Sequence, residues 1–552
     1  MCTSSKGLDR SSGRKFPPSA QDLQGLPLLS CDSRPIMPPT WAGLVGQESF
    51  NGGAKEAATL TPVCSHLRIR SCFQDFPLSR RHIDFVGRLL ASISSGLLSR
   101  NPMMDPATYI NPYLTRPDLL VLQNLLRDID RTKNPASAPF LHCQSTSSVE
   151  NEIESSSKRS SNIKDDSFVQ DDDATIKLLN ALNDPSHEDF EPTVFFTWDI
   201  KHIKLPVFVN DYFLQPYIRL AKKVVRVETD VVMLTHLLLY LTTSLPSAIF
   251  LYYRFHWLHG VLHWVMQTYY VGTYTLMMHQ HIHMGGILAR KYQLIDSLFP
   301  YITNPLMGHT WNSYYYHHVK HHHVEGNGPD DLSSTIYYQR DDLFNFLCYL
   351  GRFLFFIWLE LPLYFLQNGK AILGIKAAFW EISSYLVIYF LARFHWNATL
   401  FAFILPFFLL RLALMVGNWG QHAFVDEADP NSDFRSSITL IDVASNRFCY
   451  NDGYHTSHHL HPRRHWREHP VAFLKQKQRY STEHALVFRN IDYMMMTIRL
   501  LRRDYMYLAK CLVPIGNQID MTLDEIATML QAKTRRFTKT EIQEKFGKKN
   551  GR

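Results

Sequence analysis

Three histidine runs and one mixed motif carry the residues best suited to chemistry. The run HQHIH places His279 and His283 four apart, on one face of a helix. In HHVKHHH, His318, His321 and His322 follow the i, i+3, i+4 pattern, and His323 offers a second register. HTSHH repeats the pattern with His455, His458 and His459. Between the last two runs, GNWGQHAFVD sets Asn418 four residues before His422. The registers give nine imidazoles and one amide, too many for one ion, since a tetrahedral zinc site takes four ligands. Two metal ions with four or five nitrogens each would use them. Neutral imidazole suits iron, copper, nickel and zinc alike, so ligand type leaves the metal open. An apolar, aromatic-rich setting favours redox chemistry on a lipid, and so iron, over hydrolysis. Glu325, Asp426, Asp442 and Asp452 lie near the runs and are candidates to orient the rings.

Other histidines read as ordinary surface, interface or core residues. His256, His259 and His263 share a helix face; His309, His395, His461, His465 and His469 are treated likewise.

Long apolar stretches must position the runs. Residues 231–253 and 257–278 each have about the twenty residues that cross the ~30 Å hydrocarbon layer. A link of Arg254–His256 makes them an antiparallel hairpin. A third stretch covers 343–366, and a fourth, 379–416, is interrupted at His395–Asn397. If the runs build one site, an even number of crossings separates them. The third stretch and one crossing from 379–416 meet that condition, with the rest of the fourth interfacial or a broken helix. Lys222, Lys223, Arg226, Arg290 and Lys291 flank the first hairpin and place the histidines on the cytosolic side. Trp311, Trp419 and Tyr314–Tyr316 could line an apolar tunnel or form an interfacial belt.

The rest of the 552 residues bounds the function. Net charge is +7 with no basic stripe, which argues against nucleic acid as a partner. The eight cysteines show no regular spacing and read as thiols. Mean hydropathy of -0.16 averages a polar head and an apolar middle. Residues 1–190 are expected to be mostly disordered or of low complexity: 1–64 are rich in Ser, Pro and Gly, 76–130 hold short amphipathic patches, and 144–173 form a polar linker. Ordered structure is expected from about Pro192, a membrane domain over 191–470 and a basic helical cytosolic tail over 471–552. In that tail FRNIDYMMMTIRLLRRDYMYLAKCLV could lie on a membrane surface, and the terminal KKNGR approximates a dilysine retrieval signal.

From 231 to 470 the order of spans and histidine runs resembles the membrane fatty-acid desaturase superfamily, and Asn418 with His422 resembles the N-x-x-x-H element of stearoyl-CoA desaturases. The resemblance implies an all-α integral membrane protein, with about four transmembrane helices and a cytosolic helical cap. The cap would hold two non-haem iron ions, and molecular oxygen would be the co-substrate. The implied ligands are His279, His283, His318, His321 or His323 with His322, Asn418, His422, His455, His458 and His459. It also implies a fatty-acyl lipid substrate and the endoplasmic reticulum membrane, an organelle membrane being the alternative. Electrons would come from a separate carrier such as cytochrome b5 with its reductase, or ferredoxin, because no His-Pro-Gly-Gly haem motif is present. The chain reads as a divergent branch. A lipid hydroxylase on the same scaffold, or a divalent-metal transporter, are the competing expectations.

Overall fold

The structure is a computed structural model that describes residues 105–111, 114–134, 159–195, 205–441 and 443–547. The disorder expected for 1–64, the patch at 84–98, the linker's first part, Asp442 and the terminal KKNGR lie outside the described residues. The described chain is mostly helical, with one two-stranded sheet.

Order begins earlier than the sequence suggests. Arg116–Lys133 (α1) starts at Thr115, whose hydroxyl accepts from the Asp118 N–H at 3.2 Å. Its face of Val121, Leu122 and Leu125 is buried with Leu179 and Leu182 of Arg159–Asn183 (α2) and with Phe473 and Leu474. The polar linker expected over 144–173 is therefore helical from residue 159. Low apolar content misled here because Leu179, Leu182 and the acids Asp171 and Asp172 supply the packing and ion pairs. Asp118 is buried and accepts from Tyr454 Oη at 2.8 Å and Asn446 Nδ2 at 3.1 Å. Through Tyr454, α1 braces the residue that precedes His455.

Among the described residues, four helices are long and apolar enough to cross a membrane: Val231–Tyr253 (α3), Leu343–Gln367, Ala371–Phe394 and Trp396–Gln421. Trp257–Met284 (α4) has the length, but its histidines, Gln267 and Gln280 lower its hydropathy. It pairs with α3, and Arg226 donates to the Gly285 carbonyl, so the start of α3 and the end of α4 share one side. At the other end Trp257 meets the ring of Phe401 at 5.9 Å, and Tyr252 stacks on Phe394 at 6.3 Å.

The fourth apolar stretch proves to be two span-length helices. Leu343–Gln367 (α5) is followed by Ala371–Phe394 (α6) and Trp396–Gln421 (α7), broken at His395. The expectation of one crossing is corrected. Helix α6 begins eight residues before Phe379, because the isolated Lys376 within AILGIKAA does not stop it. Three long helices would leave the flanking histidines on opposite sides if all three ran the full distance. Contacts along α5 resolve this. Near its start Tyr349 accepts from Asn418 Nδ2 at 2.7 Å, and near its end the Tyr364 ring lies 4.2 Å from the ring of His321. Both ends of α5 are thus tied to the histidine layer, while α6 and α7 run away from it and back.

The layer that carries the histidines closes with a parallel pair, Ile438–Leu440 (β1) and Leu486–Phe488 (β2), followed in the chain or flanked by His455–Leu460 (α8), His469–Lys475 (α9), Tyr493–Leu501 (α10) and Tyr505–Cys511 (α11). The basic, apolar segment expected on a membrane surface breaks into α10 and α11 at Arg503, whose φ is 56°. Met496, Leu500 and Leu508 are buried in the largest core cluster, together with Met415 and Trp419 of α7. Arg340 is buried and donates to the carbonyls of Ala423, Lys533 and Arg535, and so binds the C-terminal segment next to His422.

Candidate metal centre

The histidines converge in two adjoining groups, His279, His283, His318, His323 and His458, and His322, His422 and His459. Within each group the available ligand atoms lie within 4.8 Å of one another.

In the first group, His279 Nε2 lies 2.8 Å from His318 Nε2 and 3.0 Å from His458 Nε2. His323 Nε2 lies 3.0 Å and 2.8 Å from the same two atoms. A neutral imidazole nitrogen either donates or accepts, so at most two N–H protons could serve these four contacts. Four lone pairs shared by one cation leave no contact frustrated, and nitrogens bound at ~2.1 Å lie about 3 Å apart. His283 Nε2 and His279 Nδ1 are buried without a hydrogen-bond partner among the described residues. Burial, then the neighbouring rings, holds His318, His323 and His458 well below the usual histidine range. They are neutral imidazoles, the form that ligates.

The second group shows how the tautomers are set. His322 Nδ1 lies 2.8 Å from Asp331 Oδ2, His422 Nδ1 lies 2.7 Å from the Ser436 carbonyl, and His459 Nδ1 lies 3.5 Å from Asp433 Oδ1. Each Nδ1–H is directed outward to an oxygen, and each Nε2 lone pair is free to face a metal. His459 Nε2 has no hydrogen-bond partner among the described residues. Burial pushes the Asp331 carboxyl up, but His322 and His321 more than offset it and hold it well below the usual range. Burial lowers His422 to about 3. The donor set thus fits two metal ions.

Three expected ligands lie outside the groups. His455 Nε2 is 3.3 Å from His422 Nε2, beside the second group. Asn418 donates to the Ser333 carbonyl at 2.9 Å and faces the adjoining cavity. His321 Nε2 accepts from the Leu332 N–H at 2.9 Å. Of the two registers open in HHVKHHH, His318 and His323 enter one group and His322 the other. Such a split follows from the π-helical turn over Tyr315–His322, which the i, i+3, i+4 reading did not anticipate.

The expected orienting acids sit elsewhere. Glu325 accepts from Tyr364, Asp426 pairs with Lys533, and Asp452 lines the cavity. Asp331 and Asp433 were missed; the DD pair at 330–331 falls just after the second run, which is the signal that could have found Asp331. Among the isolated histidines, His465 pairs with Asp230 at 2.9 Å, His469 meets Ser457 at 3.0 Å and His309 meets Thr275 at 3.1 Å, which are structural roles.

A cavity of about 310 Å³ reaches His279, His318, His322 and His455 and is otherwise walled largely by apolar residues of α4 and α7. Fold and site together define a helical, membrane-type protein with a buried poly-histidine centre beside an apolar cavity. Residues 255–489 match the family model for fatty acid desaturase, and on this match the segment is a member of the fatty acid desaturase superfamily. No curated protein and no solved structure matches the chain. Membership implies an oxidoreductase with a desaturase-like function, a lipid substrate and association with a membrane.

Proposed function

We propose that the protein is an oxygen-dependent fatty-acyl desaturase that works through a dinuclear non-haem iron centre. The observation that carries this reading is the pair of adjoining buried histidine groups, the second with its Nδ1 atoms turned outward to oxygens, at the end of an apolar cavity. His279, His283, His318, His323 and His458 would hold one iron, and His322, His422 and His459 the other, with His455 and Asn418 in reserve. Bound iron would supply the activation of molecular oxygen. Asp331, Asp433 and the Ser436 carbonyl keep the rings in the ligating tautomer. The apolar residues of α4 and α7 would orient an acyl chain and keep it dry against the centre. Electrons would come from a separate carrier. The endoplasmic reticulum with the centre facing the cytosol agrees with Lys222, Lys223, Arg226, Arg290 and Lys291 at the histidine end.

The test is expression in a desaturase-deficient host with lipid profiling. Wild type should yield a new unsaturated acyl product. His458→Ala should abolish it and lower bound iron while membrane insertion persists. A hydroxylated product would instead assign hydroxylation on the same scaffold. Turnover by His458→Ala with a full iron complement would refute the ligand assignment.

A further inference from the structure

A second polar site lies inside the helical layer, away from both histidine groups. Glu381 of α6 and Arg411 of α7 form an ion pair, and both are buried. Glu381 is fully subscribed: Thr310 donates to it at 2.5 Å, and Ser313, Tyr385 and Arg411 donate as well. Arg411 is not. Its Nη1 is buried with no hydrogen-bond partner among the described residues, while its guanidinium lies against the rings of Phe407 at 4.4 Å, Phe353 at 5.7 Å and Tyr385 at 6.0 Å. His317 Nε2, also buried without a partner, lines the same pocket. An unsatisfied guanidinium N–H in an apolar layer is costly, and ionisable residues there mark binding sites more often than scaffolding.

The pocket adjoins the cavity at the histidine centre: Tyr314, His317, Phe353, Leu410 and Leu414 line both. Charge balance selects the ligand. Glu381 already neutralises Arg411, so an ionised carboxylate would bring a second, uncompensated negative charge into the layer. A neutral acceptor oxygen would satisfy Nη1 without that cost. We infer that Arg411, held by Glu381, anchors the neutral carbonyl oxygen of an esterified or amide-linked acyl chain, which then extends past Phe353 and Leu414 to the histidines. This rests on the proposed function for the acyl substrate, and it makes the protein selective for acyl esters over free fatty acids.

The experiment uses the full chain in detergent, with methyl laurate, laurate and tetradecane as probes of thermal unfolding and with metal content measured on the same samples. Methyl laurate should bind wild type about tenfold more tightly than either other probe, the effect of one hydrogen bond to a charged donor. Glu381→Gln/Arg411→Gln, which keeps size and removes both charges, should erase that preference with metal content unchanged. Should the double variant fail to fold, a brominated methyl ester must quench Trp358, which lines the pocket and is also 41% exposed, more strongly in wild type than an equally brominated alkane does, and that excess must vanish in Trp358→Phe. Equal binding of the three probes, ester preference that survives the double variant, or no excess quenching of Trp358 by the ester overturns the anchor, even in an active, iron-loaded enzyme. Ester preference that depends on Arg411 in a chain that carries no metal sustains the anchor and refutes the proposed function.

Discussion

Replacing Asp331 with Asn tests the tautomer argument at one atom. Asp331 Oδ1 accepts from the Ser333 N–H and the Ser333 hydroxyl, both at 2.8 Å, and Oδ2 takes the His322 Nδ1–H at 2.8 Å. A carboxamide has one acceptor oxygen. The Ser333 backbone N–H cannot turn round, so that oxygen must stay on the Ser333 side. The amide NH2 then faces His322 Nδ1, which must become an acceptor, and the ring proton moves to Nε2. His322 Nε2 would then be unable to ligate, and the second group would fall from three nitrogens to two. The second amide N–H and the new His322 Nε2–H gain no acceptor in this arrangement, so the metal-free fold should lose about 1–3 kcal/mol. Loss of a residue that fixes a ligating ring costs about 10–100-fold in metal affinity. Purified Asp331→Asn should therefore hold metal at the second group about 10–100-fold more weakly than wild type, so that dialysis strips the proposed second ion from the variant first, with a lowered metal-free melting temperature. Two tightly held ions in the variant would refute the reasoning.

Two buried groups set opposing pH dependences. His469 is lowered to about 3 by burial, with Arg464 and His465 adding to it. Its folded pKa lies below the unfolded value, so its contribution is present above about pH 6.5 and lost as pH falls. At pH 5 the loss is about 2 kcal/mol, and His469→Gln should flatten the melting curve between pH 7 and 5 by that amount. Asp452 is raised to about 7 by burial. Its contribution is full below the unfolded pKa near 3.8 and is lost as pH rises through 7, so Asp452→Asn should raise the melting temperature at pH 8 and leave it unchanged at pH 4. Arg340→Met leaves the carbonyls of Ala423, Lys533 and Arg535 without their shared donor. It should cost about 3 kcal/mol or more and open the C-terminal segment to protease; an unchanged melting temperature would contradict this.

The histidine runs were legible because imidazoles at i and i+4 share a helix face, and neither their clustering nor the apolar lengths depend on tertiary detail. What could not be read has local physical causes. The division of His321, His322 and His323 depends on a π-helical turn, which shifts side-chain directions by a fraction of a turn and leaves no mark on residue spacing. The roles of α1 and α2 depend on long-range pairing: Asp118 reaches Tyr454 across more than three hundred residues, and a polar segment gives no warning of it. Asp433 lies far from any run in sequence and meets His459 only after β1 and α8 have formed.

Parity is the most instructive case. Apolar length marks both α4 and α5 as spans, whole-helix hydropathy keeps α5 and leaves out α4, and the contacts separate the two the other way. Helix α4 reaches from Trp257, against Phe401 at the far end, to His279 and His283 in the centre. Helix α5 stays with the centre at both ends, through Tyr349 and Tyr364. The reason lies in what each helix must carry. A helix that delivers ligands needs histidine and glutamine on its buried face, and these depress its hydropathy. A helix that lies along the apolar layer beside the centre needs none and can expose apolar side chains, as Phe344, Leu347, Phe355, Phe356 and Leu363 of α5 show, its Arg352 and Glu360 being paired with each other. The even number of crossings that brings His322 beside His422 is therefore supplied by α6 and α7, and the count of four traversing helices is kept while its membership changes.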